Sequence, residues 1–311
     1  GENFGLYGNI ETMDDVALTR HFNSTRHLYE GTYGNDLHGG QVSGFEVDEG
    51  DPADRSDLVA LVDRLSPVHE TGGIYDAIAD LVDWPEMLRM MAVETFIGHW
   101  DGYVFGANNY YFHADDDGRF SLIPWGADQS FGGDLPMHVG NGLLFRFCME
   151  DAPCRQAYDL ALQDLLDLVR SGNMSSQLLA IDAVTRPFIE DDPRAEVDVY
   201  GHDWAVTNLL AFLGRRETEL ADLLGCLLGQ HPDTDDDGFA CDTDCNQNDS
   251  SIYPGAFDTC DDDVDHVISP QFRRGLLFWS MYCMRSWLFG SPHRLRKASR
   301  SRSSTSFSVT A

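Results

Sequence analysis

Phe96-Ile-Gly-His-Trp-Asp-Gly-Tyr103, Asn108-Asn-Tyr-Tyr-Phe112 and Ile123-Pro-Trp-Gly-Ala-Asp-Gln-Ser-Phe-Gly132 are three pieces of one block. Asn109–Ala114 and Arg119–Trp125 are rich in aromatic and β-branched residues, and the Asp115-Asp116-Asp117-Gly118 between them has turn chemistry, so the block predicts a β-hairpin. A hairpin lays its two open ends side by side. Asp101, just before the first strand, and Asp128, just after the second, would then converge with Asn109. Immediately upstream, Asp83 and Glu86 have capping-box spacing around Pro85. They open a helix whose inward stripe is Leu88, Met91, Ala92, Thr95 and Phe96, and it ends near Gly98.

Further outward, Asn3–Glu11 has spaced apolar and aromatic residues and is read as a strand, followed by a short helical stretch at 14–22. Gly-rich loops are expected through Val47, then a helix over Ser56–Leu65. After the hairpin come three amphipathic helical stretches, at about 155–171, 175–188 and 203–228. Strands first and helices later imply an α+β domain with a mainly helical C-terminal part. The expected organisation is a domain over 1–229, an Asp-rich segment over 231–265 and a basic, Ser-rich tail over 266–311.

Charge divides the 311-residue chain in the same way. It carries 52 Asp+Glu against 21 Lys+Arg, a formal net charge of −31. Residues 266–311 hold eight basic residues and no acid, so residues 1–265 carry −39. A general nucleic-acid binder is excluded, because phosphate contacts need a basic surface. No run reaches the ~18–20 apolar residues of a membrane span; the nearest, Gly275–Gly290, is interrupted by Arg285. Seven cysteines are few for a disulfide scaffold, but the placement of Cys148 and Cys154 around a short loop predicts a disulfide and an oxidising compartment. The chain opens at Gly1 with no Met and no signal peptide, which is expected of a fragment or processed form.

Two carboxylates and a carboxamide at the open end of a hairpin suit Mg²⁺ and a triphosphate, because Mg²⁺ takes a few protein oxygens and completes its octahedron with phosphate and water. One carboxylate could instead take a proton from an attacking hydroxyl. Singly, each of these residues is commonly a turn or helix cap. Asp115, Asp116 and Asp117 are read as a solvated turn. His99 could orient the Asp101 loop or simply pack. The other histidines show no metal-ligand spacing, and Ser130 lacks the setting of a hydrolase nucleophile.

At these residues the chain resembles the CotH family of spore-coat-type atypical protein kinases. Upstream, Phe4–Glu11 and Leu28-Tyr29 resemble that family's N-terminal lobe, and the likeness runs from Gly1 to Leu228. The resemblance implies a diverged kinase-like fold with a truncated N-terminal lobe, and transfer of the ATP γ-phosphate to protein Ser/Thr. It also implies Asp101 as catalytic base, Asn108, Asn109 and Asp128 on the nucleotide, and Asn109 and Asp128 on Mg²⁺. Two departures stand out. Gly126 replaces the first Asp of the family's usual Trp-Asp-x-Asp, and the sole lysine is Lys297, so residues 1–296 have none for the nucleotide phosphates. Arginine could substitute, or the lysine lies upstream of Gly1. Glu11 is either the acid that orients such a cation or a surface residue.

Asp233-Thr-Asp-Asp-Asp-Gly238 alternates carboxylates, has Gly at the sixth position and places Asp244 at the twelfth, as a Ca²⁺ loop does. Asp233, Asp235, Asp237, the Phe239 carbonyl and Asp244 are the expected ligands. With Asp249-Ser-Ser-Ile-Tyr-Pro-Gly255, the segment resembles the MopE-type metal-binding motif and thrombospondin-type calcium repeats. The motif breaks after Asp265 into the basic tail, which contains the run Lys297-Ala-Ser-Arg-Ser-Arg-Ser-Ser-Thr305 and is expected to be disordered; the alternative is an anionic-surface anchor. These readings together predict a secreted or cell-surface CotH-like kinase with a calcium module. The competing class is a non-catalytic surface protein on a kinase-like scaffold.

Overall fold

The computed structural model describes residues 5–195, 197–227, 250, 253–254 and 267–268. The chain divides into two units, Gly1–Gln230 and His231–Ala311. In chain order the first contains α1 (Asp15–His21), β1 (His27–Glu30), β2 (Glu46–Glu49), α2 (Ser56–Leu65), the single turns α3 (Val68–Thr71) and α4 (Ile74–Ala77), α5 (Trp84–Ile97) and α6 (Tyr103–Gly106). It continues with β3 (Tyr110–Ala114), β4 (Phe120–Pro124), α7 (Leu143–Glu150), α8 (Ala152–Gly172), α9 (Met174–Glu190) and α10 (Val199–Leu227). In the second unit the described residues include a two-residue parallel pair, β5 (Tyr253–Pro254) with β6 (Val267–Ile268). Asp233, Asp235, Asp237, Phe239 and Asp244 and the tail from Lys297 lie outside the described residues. This is a mixed helix-and-sheet architecture compatible with the α+β reading.

The hairpin forms where its turn chemistry puts it. Asp115 Oδ1 accepts from the backbone of Asp117 (3.0 Å) and Arg119 (2.8 Å), and Gly118 takes the positive φ of 76° that closes the turn. β3 pairs antiparallel with β4, placing Phe112 opposite Leu122, and the sheet order is β2-β1-β3-β4. β3 is buried at all five positions because both of its faces are covered. On one face Leu28 and Tyr111 meet Leu18 of α1, with Met13, Phe22, Ile123 and Trp125 around them. On the other, the rings of Tyr103, Tyr110, Phe112, Phe45, Tyr29 and Phe120 interlock, with Tyr103 and Tyr110 only 4.8 Å apart edge to face. Edge-to-face pairing of this kind adds about 0.5–1.5 kcal/mol per pair beyond area burial.

α5 begins as its cap predicts: the Asp83 carboxylate accepts from Glu86 N–H at 3.2 Å, and Pro85 sits where a helix has no use for an N–H. Its stripe from Leu88 to Phe96 is buried against α8, where Thr95 Oγ1 and Tyr158 OH share a 2.8 Å hydrogen bond. The entry to α5 is tied to the sheet, since Phe120 N–H donates to Leu81 and Asp83 N–H to Phe120.

Three readings are corrected. Residues 5–11 form no strand: Tyr7 and Ile10 stay exposed, and the backbone of Leu6 donates instead to Asp192. Both sides of β1 are already taken by β2 and β3, so a strand reading there has no interior partner. Conversely, the region read as loops through Val47 contains β1 and the start of β2, four residues each, too short to show a period. The apolar run before Cys148 is a helix, α7, and Cys154 lies inside α8 rather than ahead of it. The Cys148–Cys154 disulfide itself is present, with Cα atoms 4.9 Å apart.

Candidate functional site

Between α5 and β3 the chain makes a tight arc. Gly98 ends α5 at a φ of 64°, and a side chain there would strike the Gly133 carbonyl, with Cβ only 2.3 Å from its oxygen. Asp101 sits at the crest. Its Oδ1 accepts from Asn108 Nδ2 (3.1 Å) and its Oδ2 from Asn109 Nδ2 (2.8 Å), while Asn109 Nδ2 also donates to the Asp101 carbonyl (3.0 Å). Asn109 can do this because it adopts a left-handed φ of 49°. Its Oδ1 accepts no hydrogen bond among the described residues.

β3 and β4 bring the second loop alongside. Trp125 N–H donates to the Asn109 carbonyl at 2.9 Å, and Gly126 follows with a φ of 51°. A Cβ on Gly126 would lie 2.9 Å from Asn109 Cγ, so the turn leading to Asp128 rests against the Asn109 carboxamide. Asp128 stands exposed in the 3₁₀ turn Ala127–Gln129, where Gln129 Nε2 donates to it at 3.0 Å. The structure thus joins Asp101, Asn108 and Asn109 in one hydrogen-bonded group and lays the Asp128 loop beside it, without a direct bond from Asp128 to that group. The Asp128 loop is held from behind: Phe131 N–H donates to the Ile97 carbonyl (2.7 Å), and its ring meets Phe212 of α10 edge on.

Backbone strain concentrates here. Among the described residues four non-glycines have positive φ, and three of them, Ala107, Asn109 and Phe131, lie in these two loops. Such conformations cost about 1–3 kcal/mol each and persist where the surroundings over-determine them, commonly at functional sites.

Behind the arc lie residues that the sequence reading did not single out. Glu94, buried in α5, accepts from Tyr103 N–H (3.1 Å) and Val104 N–H (2.9 Å), the first two backbone donors of α6. Its signal was an acid one turn beyond Met90 and Met91 on a helix surface that is otherwise apolar. Arg216 of α10, also buried, donates to the carbonyls of Phe96 (2.9 Å) and Thr95 (2.7 Å), and nothing near it in sequence marks that role. His99 is fully buried with Nδ1 3.5 Å from Glu94 Oε1. Burial opposes its charged form, but Glu94, the Gly126 carbonyl and Asp101 outweigh that and hold it above the ordinary histidine range. Glu11 pairs with Arg20 and His21 at the surface, and these partners lower its affinity for protons.

A sequence model described as CotH kinase protein matches residues 1–220. The chain belongs to the CotH kinase family. A relative of this CotH-family chain is the inner spore coat protein H of Bacillus subtilis (strain 168), 23% identical over 254 residues, covering 73% of this chain and 68% of that protein. The family match spans every element from α1 through most of α10, so both loops of the candidate site fall inside it. No helix among the described residues is long and apolar enough to cross a membrane.

The donor chemistry of the site suits Mg²⁺. Asn109 Oδ1 and the carboxylates of Asp101 and Asp128 are hard oxygen donors, with no competing thiolate or cationic partner on them among the described residues.

Proposed function

We propose that this CotH-family chain is an ATP-dependent protein kinase on a diverged kinase-like fold, acting on Ser/Thr of an extracytoplasmic or surface protein. The observation that carries the reading is the Asp101 carboxylate gripped by two carboxamides at the mouth of a hairpin whose other end presents Asp128. In this reading Asp101 accepts the proton of the acceptor hydroxyl as its oxygen bonds to the γ-phosphorus and the bond from that phosphorus to the bridging oxygen of ADP breaks. Asn108 and Asn109 keep both carboxylate oxygens aimed and hydrogen-bonded before the proton arrives. Asn109 Oδ1 and Asp128 would hold Mg²⁺, which when bound neutralises charge developing on the phosphates. The Cys148–Cys154 disulfide supports an extracytoplasmic setting, and the relative's name places that protein in a spore coat.

Asp233–Asp265 is proposed to bind Ca²⁺ through Asp233, Asp235, Asp237, the Phe239 carbonyl and Asp244, relieving repulsion among acids crowded at alternate positions.

A second reading, a non-catalytic surface scaffold, is favoured by two observations: residues 1–296 lack lysine, and Gly126 replaces a carboxylate. Mg²⁺-dependent transfer of labelled γ-phosphate to an acceptor protein separates the two. Asp101→Asn and Asp128→Asn should each abolish transfer with the fold intact, since each removes one charge at constant volume, and Asp116→Asn should leave it unchanged. Equal transfer by wild type and Asp128→Asn would sink the kinase reading.

A further inference from the structure

We infer that Glu94 is the positioning residue for Asp101, fixing the arc 98–106 from its position in α5; this rests on the kinase reading for its consequence and on geometry for its content. A buried helix start needs acceptors for its first N–H groups, and where a side chain supplies them it normally comes from the N-cap. At α6 the N-cap is Gly102, which has none. A side chain there would crowd Glu94 and His99. A Cβ on Gly102 would lie 2.4 Å from Glu94 Oε1 and 2.5 Å from His99 Nδ1. The capping oxygens come instead from another helix, through Glu94 Oε1 to Tyr103 N–H and Oε2 to Val104 N–H.

The same residue also holds the other end of the arc, because His99 N–H donates to the Glu94 carbonyl at 3.0 Å. Asp101 therefore lies on a short loop both ends of which are bound to a single residue of α5. Downstream, Asn108 N–H and Gly106 N–H both return to the Gly102 carbonyl, so the backbone that carries the two carboxamides is referenced to the same point. A buried carboxylate is costly to hold unless its charge is met. Here two backbone donors and the adjacent His99 ring meet it. An apolar residue would fill this volume more cheaply but would leave the Tyr103 and Val104 N–H groups unsatisfied and the arc free to shift. Asp101 touches the acceptor in the kinase reading. Glu94 does not, and acts only through backbone position.

The test compares Glu94→Gln with Asp57→Asn in the full chain. Asp57 is also a buried carboxylate, held by His27 Nδ1 and Tyr29 OH at 2.6 Å each, but it lies on α2 and has no part in the arc. Glu94→Gln should lower kcat for phosphotransfer by about 10–100-fold while KM for ATP stays within about twofold, the pattern of a displaced catalytic group. Amide exchange at Tyr103 and Val104 should accelerate about tenfold or more relative to amides of α8. Asp57→Asn should do neither beyond its effect on global stability. Gly102→Ala, which crowds the same contact without removing charge, should reproduce the kcat loss should Glu94→Gln fail to fold. A kcat loss no larger than that of Asp57→Asn, or unchanged exchange at both amides, overturns the assignment. Absence of phosphotransfer by wild type would reject the kinase reading instead, and the exchange measurement would still decide the role of Glu94.

Discussion

Arg216→Ala should be among the most damaging single substitutions in this chain. The Arg216 side chain is 3% exposed, and its Nε and Nη2 cap the carbonyls of Phe96 and Thr95, in the last turn of α5. Truncation removes two charge-assisted hydrogen bonds, worth about 1.5–3 kcal/mol apiece, and leaves the Phe96 carbonyl buried without a donor, while the Thr95 carbonyl keeps only the 3.3 Å bond from Gly98 N–H. It also removes a cation from the negative end of the α5 dipole, worth about 0.3–1 kcal/mol. These effects are not additive, and a buried charge carries its own desolvation cost. A loss of about 3–5 kcal/mol is expected, chiefly from the two charge-assisted bonds to backbone carbonyls. Urea unfolding followed by fluorescence should show it as a lower midpoint with unchanged slope, and thermal unfolding as a drop of roughly 6–20 °C for a domain of this size. Its other partner, Glu219, is 44% exposed at 2.6 Å, so Glu219→Gln should cost under about 1 kcal/mol. A loss from Arg216→Ala no larger than that from Glu219→Gln would refute the view that Arg216 secures the end of α5.

Gly126→Asp, which restores the residue usual in the family, should destabilise by roughly 1–2 kcal/mol from its left-handed backbone and push the Asn109 carboxamide off Asp101. An unshifted Asn109 side-chain amide resonance and unchanged unfolding would contradict this. Asp54 is held well below the usual carboxylate range by the Ser56 hydroxyl and backbone N–H and by Arg26. A depressed folded-state pKa contributes stability above the unfolded value of 3.8 and loses it as pH falls through the folded value. Asp54→Asn should therefore be less stable than wild type at neutral pH, with the gap closing below pH 3.8; a pH-independent gap would oppose the assignment. Calorimetry of the full chain should detect Ca²⁺ binding that Asp235→Asn with Asp237→Asn removes, and absence of heat in wild type would return that segment to an acidic linker.

How much could be read beforehand depended on how local the cause was. α2 spans Ser56–Leu65 as its periodicity indicates, and α5 and the hairpin carry their own punctuation in Asp83, Gly98 and Gly118. β1 and β2 lack any such mark, because four residues show no period and β1 is held by β3, far along the chain, with β2 in turn held by β1. The Asn3–Glu11 reading failed for the complementary reason: spaced apolar residues were present, but residues 5–11 pair with neither edge of the sheet, β2 or β4. At the site, the Asp101–Asn109 contact needed the tight arc and the left-handed φ of Asn109, but the meeting of Asn109 with the loop that carries Asp128 followed from hairpin pairing. The roles of Glu94 and Arg216 did not, since each satisfies backbone groups of another element, and a linear pattern does not encode which backbone groups a fold leaves unpaired.

The register of the sheet has a kinetic consequence. α5, the arc and the β3–β4 hairpin are contiguous from Trp84 to Pro124, whereas β1 must reach β3 across the whole intervening chain, with His27 opposite Ala114. Loop closure favours the contiguous piece, so the Asp101 group should assemble before the sheet that later covers it. Truncating Leu122 in the hairpin should then slow refolding, while truncating Leu28 in β1 should mainly speed unfolding. Stopped-flow traces in which Leu28→Ala slows refolding as much as Leu122→Ala would place β1 in the folding nucleus instead.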